Sequence, residues 1–207
     1  MHYNQHEQII TGMDLRDYFR DSVSTAVNNQ NLSIHDETII YIVNMMTEFS
    51  RSENLYEKTP DGLMLKALAL VYADALEATT PSEKNTSLQR LGDIALFISG
   101  LFADSLNRSL VDIDYYIAMG GNAYACLADM TRRSINGTTI SKVFNELSEK
   151  FIALVDVLSE IAESSSINSD RDVLRIYELW MKTGSKRLAR KLQEIGIQPV
   201  TVTGVEQ

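Results

Sequence analysis

Residues 91–106 read LGDIALFISGLFADSL and residues 115–127 read YYIAMGGNAYACL, and these two blocks decide the fold. Ten of the sixteen residues in the first block are apolar, and its two charges are Asp93 and Asp104. On a helical period, Leu91, Ile94, Ala95, Ile98, Leu101 and Phe102 share one face, whereas Asp93, Phe97, Gly100 and Asp104 lie opposite it. A helix that is apolar on both sides is surrounded by packing neighbours. The second block has no charge, and Gly120, Gly121, Ala123 and Ala125 are small enough for another helix to approach closely. The two blocks therefore predict a central antiparallel helical hairpin, residues 83–106 and 112–132, whose small and apolar residues also suit an isologous dimer interface.

The same period extends outward. Leu15, Phe19, Val23 and Val27 place a helix over residues 14–29. Ser33 supplies a cap, and Asp36 and Glu37 an acidic first turn, for a second helix that buries Ile39, Ile40, Val43, Met46 and Phe49 and runs to Arg51. Pro60 precedes a third run, Leu63, Leu65, Leu68, Val71 and Leu76, and Pro81-Ser82 opens the first helix of the hairpin. Asn136-Gly137 and a cap at Thr138 or Thr139 begin one long helix with Ile140, Phe144, Leu147, Phe151, Leu154, Leu158 and Ile161 on its apolar face. A polar linker over 164–169 leads to helical segments near 174–181 and 188–195, separated at Gly184. Residues 200–203 alternate like a strand but have no partner strand. The expectation is one all-α domain, 1–207, of about seven helices, with 1–10 and 197–207 as frayed tails.

Composition bounds the function. With 44% hydrophobic residues the chain can bury a substantial core. Its net charge of −9 repels phosphate and excludes a general nucleic-acid binder, and the first 60 residues offer no basic recognition helix. The single cysteine, Cys126, can form neither an internal disulfide nor a cysteine-based zinc cage, and its uncharged surroundings make it a core thiol. The first residues lack a basic-then-apolar leader, and no apolar run is long enough to span a membrane. These features read as a cytoplasmic protein, in which the Asn-x-Ser/Thr triplets at Asn31, Asn85, Asn107 and Asn136 have no route to glycosylation.

The block LGDIALFISGLFADSLNRSLVDIDYYIAMGGNAYACLA, within residues 88–130, resembles the central part of an uncharacterised family of bacterial all-α proteins. The resemblance implies a helical fold and a bacterial source and brings no function with it.

Chemistry concentrates at one end of the hairpin. Because residues 107–111 make a short connection, Asp104 should lie near Asp112 and Asp114, together with Arg108 and with Tyr115 or Tyr116. Asp93 stands on the same helical line as Asp104, about three turns away. Oxygen ligands in such a group suit a divalent cation, Mg²⁺ or Ca²⁺, and crowded carboxylates acquire shifted pKa values that serve acid–base work. The alternative, which we prefer, makes Asp112 the cap of the second hairpin helix, Asp114 part of its first turn and Arg108 the counter-ion of Asp104. No cofactor is required by this sequence.

Other constellations are weaker. His35-Asp36, with His6 upstream and Asp93 or Asp104 downstream, follows the order of ligands in HD-type phosphohydrolases, but His6 lies in a polar stretch and His35-Asp36 fits the start of a helix. No Glu-x-x-His pair is present for a di-iron bundle, and no Gly-x-Ser-x-Gly elbow or phosphate-cradling glycine loop occurs. The C-terminal region differs in sign, since residues 171–195 carry seven basic against three acidic side chains in an otherwise acidic chain. Lys186, Arg187, Arg190 and Lys191 are therefore candidates for a partner surface or for docking onto the protein's own acidic body, the latter being preferred because that body is always at hand. The reading is a non-enzymatic cytoplasmic interaction or regulatory protein that self-associates. The alternative is a metal- or small-ligand-binding protein, or a metal-dependent hydrolase, with its site at the acidic end of the hairpin.

Overall fold

The computed structural model describes residues 12–55, 57–59, 62–106, 112–132, 137–165 and 183–194. These form α1 (Gly12–Asn29), α2 (Asp36–Phe49), α3 (Ser52–Leu55), β1 (Glu57–Thr59), β2 (Gly62–Met64), α4 (Leu68–Glu77), α5 (Pro81–Leu101) and α6 (Ala103–Leu106). They continue with α7 (Ile113–Arg132), α8 (Thr138–Glu149), α9 (Phe151–Ser165) and α10 (Lys186–Glu194). The expected helix near 174–181, the strand-like residues 200–203 and both tails lie outside the described residues. None of the described helices is long and apolar enough to cross a membrane.

The architecture is an all-α bundle centred on α5. This helix packs against α7, α4 and α9, while α7 also meets α8, and α1 lies against α2 and α9. Its start is fixed locally: Pro81 occupies the first turn, Thr80 Oγ1 accepts from the Glu83 amide at 3.2 Å, and Glu83 Oε2 accepts from the Thr80 amide at 3.2 Å. Three glycines of the hairpin are packed tightly inside the chain. A Cβ on Gly92 would stand 2.6 Å from the Tyr124 ring, one on Gly100 would collide with Leu158, and one on Gly120 would collide with Phe151 and Ala95. Pairing Gly92 with Tyr124 and Ala95 with Gly120 sets an antiparallel register. The approach expected at Gly120 is therefore filled within the chain by Phe151 and Ala95.

Several boundaries differ from the sequence reading. The first hairpin helix stops at Leu101, because Phe102 has φ −122° and ψ 26°, and Asp104 belongs to the separate turn α6. The long helix expected after Thr138 is two: Lys150, at φ −106° and ψ 17°, interrupts it, and Gly137 rather than a threonine precedes it without a side-chain cap. The interruption lets one apolar stripe change neighbours, from α7 for α8 to α5 and α1 for α9. Ile140, expected on the buried stripe, is exposed. The third helix begins only at Leu68, and Leu63 sits in an antiparallel pair with Lys58 of β1.

Ser33 does not cap α2. His35 precedes the helix and makes no side-chain cap. A carboxylate from α8 serves instead, as Glu146 Oε2 accepts from the His35 amide at 3.1 Å and from Thr38 Oγ1 at 2.6 Å. Lys150 completes the joint, donating to Glu146 Oε1 at 2.7 Å and to the Ser33 carbonyl. Burial disfavours charge on Glu146, yet the bonds from Lys150, Thr38 and His35 outweigh it and hold the pKa at about 2.

Candidate functional site

Asp93 stands apart from the other expected acidic residues. Asp93 faces the interior, where its Oδ1 accepts from Tyr41 Oη and Tyr124 Oη, both at 2.6 Å. Burial pushes its pKa up to about 6 against the two hydrogen bonds. Tyr124 lies roughly 18 Å along α7 from Asp112 at ~1.5 Å per residue, so Asp93 is remote from the hairpin end. Asp112 directly precedes α7 and its Oδ1 accepts from the Ile113 amide at 2.7 Å, and Asp114 is exposed in the first turn. Tyr115 and Tyr116 pack edge to face at 6.1 Å, the first exposed and the second half-buried. Asp104 is placed only by its backbone in α6, and Arg108 lies outside the described residues. Among the described residues no three His, Cys, Asp or Glu side chains converge to hold a metal ion.

The basic C-terminal residues come to a different place. Gly184 adopts φ +63°, a left-handed turn that glycine makes without strain, and it delivers Ser185 to the head of α10. Ser185 Oγ accepts from the Leu188 amide at 3.2 Å and donates to Asp156 Oδ2 on α9 at 2.6 Å. Arg187 is 7% exposed, with Nη1 3.0 Å from Glu163 Oε1, and Leu188 is buried. The chain thus docks its basic helix onto its own acidic body. Lys186 and Arg190 stay exposed, and the side chain of Lys191 lies outside what is described.

This docking leaves a groove of about 590 Å³ between α10, α7 and the α8–α9 junction. Its apolar lining includes Leu32, Ile117, Phe151 and Ile152, and its polar end is built by Ser185, Lys186, Arg187 and Arg190 with Asp156. Lys150 and Glu149 stand along the wall. Burial raises the Asp156 pKa against the Ser185 hydrogen bond and the charges of Arg187 and Arg190. Burial likewise lowers that of Arg187, against Asp156 and Glu160. Among the described residues Nε of Arg187 has no hydrogen-bond acceptor. The first-turn amides of α10 add positive potential, since they have no acceptors within their own helix.

No known family model, curated protein or solved structure matches the chain. The groove's chemistry must speak for itself. An apolar trough that ends at a helix N-terminus and a buried guanidinium suits an amphiphilic anion. Sequence reasoning named Lys186, Arg187 and Arg190 but missed Asp156, Ser185 and Phe151. The available signal was the pair Gly184-Ser185 ahead of a basic helix, a turn followed by a capping hydroxyl.

Proposed function

We propose that this is a non-enzymatic regulatory protein of the cytoplasm that works as a homodimer and holds a small amphiphilic anion in the groove beneath α10. The carboxylate or phosphate head meets the α10 N-terminus, Lys186 and Arg190, and the apolar body lies against Ile117, Phe151 and Ile152. One observation carries this reading: in a chain of net charge −9, four cations against two carboxylates line a concave, largely apolar groove. Pockets of about 300–1,000 Å³ with a few convergent polar groups are the usual form of small-molecule sites.

Calorimetric titration with octanoate and with inorganic phosphate tests it. Octanoate should bind, phosphate should compete weakly for the head position, and the double variant Lys186→Ala, Arg190→Ala should bind octanoate about tenfold more weakly or worse. The absence of heat with either probe, or binding unchanged in the double variant, would remove the groove as the site.

A further inference from the structure

We propose that a second copy of this chain covers the outer flank of α4, an inference that rests on the homodimer reading and names its face. Helix α4 buries Leu68, Val71 and Ala75 against α5. Its neighbouring stripe remains in solvent. Ala69, Tyr72 and Leu76 follow one another at i, i+3 and i+7, and Leu76 is 63% exposed and Tyr72 41%. Tyr72 and Leu76 also form one wall of a groove of about 280 Å³ between α4, α5 and α7, which Leu88, Met119, Ala123 and Cys126 line together with the polar Asn122.

An apolar ridge that walls its own largely apolar groove can enter the same groove of a second copy under a two-fold axis. The ridge of each copy enters the groove of the other, as an isologous contact requires. The charges agree with that pairing. Lys84 lines the groove, and Glu77 is exposed at the end of α4 just past Leu76, so opposite signs meet when two copies face each other. A strongly acidic or basic partner would find no single-sign surface here. Leu70 is also exposed, at 57%, but it lies on the other side of α4 beside Asp74 and does not line this groove, which makes it the control position.

Sedimentation velocity on the full chain, combined with maleimide labelling of Cys126, tests the proposal. The wild type should sediment at twice 23.3 kDa at micromolar concentration. Leu76→Glu should run as a monomer with an unchanged helical spectrum, while Leu70→Glu stays dimeric. In the wild type, Cys126 should label at least tenfold more slowly at high protein concentration than after dilution below the dissociation point. If Leu76→Glu does not fold, Tyr72→Glu and the wild-type labelling series carry the test alone. A wild type that is monomeric throughout the micromolar range overturns both the homodimer reading and this face. A dimer that survives Leu76→Glu, with Cys126 labelling independent of concentration, overturns the face and leaves the homodimer to another surface.

Discussion

Asp93 and Glu146 are both carboxylates drawn into the bundle, and their partners give them opposite responses to pH. Asp93 is held by two neutral hydroxyls, and burial leaves its pKa at about 6. Unfolded, it would titrate near ~3.9. The unfolded chain therefore gives up this proton first, and stability falls as the pH rises from about 4 to about 6, by on the order of 3 kcal/mol. Asp93→Asn should flatten the urea midpoint across that window, and a decline that persists in this variant would assign it elsewhere. Glu146 is held by an ammonium, a hydroxyl and an amide, with a pKa of about 2, so its contribution is present above about 4.3 and is lost as the pH falls towards 2. Glu146→Gln should lower stability at pH 7 by about 2 kcal/mol and remove that acid limb. Neither role was legible in the sequence. Asp93 meets residues 52 and 31 positions away, and the Glu146 contacts span 108 and 111 positions, distances over which periodicity carries no information.

At the level of elements, the long-period features were legible and the short ones were not. The two-sided apolarity of α5 from Leu91 onward, with Asp93 as its one charge, and the small residues of α7 announced a central hairpin, because side chains packed on all sides leave little room for charge. The break at Lys150 was silent, since Phe144, Leu147, Phe151, Leu154 and Leu158 keep one helical stripe through it and are all buried. Strands of three residues, such as β1 and β2, are too short to display an alternation. The helical line expected to join Asp93 to Asp104 needs a continuous helix, and α5 ends at Leu101. The close approach at Gly92 has a measurable consequence. Gly92→Ala should destabilise the protein by about 1–3 kcal/mol despite alanine's better helix propensity, because the Tyr124 ring has no room to retreat. Thermal unfolding checks this, and a stabilised variant would show that the α5–α7 contact relaxes.

For the whole molecule, charge is arranged so that the basic end of the chain closes on the acidic bundle through Ser185–Asp156, Arg187–Glu163 and the burial of Leu188. Helix α10 is the only described element of the C-terminal region and is joined through a few side chains, so it should open without the rest. Leu188→Ala should cost about 2 kcal/mol, and hydrogen exchange should place that loss in the α10 amides while those of α5 keep their protection. Uniform loss across the bundle would instead make α10 part of the cooperative core. The cap that Glu146 provides to α2 also fixes an order of assembly. During synthesis α2 is complete about a hundred residues before the group that closes its first turn has been made. Until then the His35 amide and the Thr38 hydroxyl are left to water. The start of α2 reaches its final form only when α8 folds back over it, so these two distant parts of the chain mature together rather than in sequence.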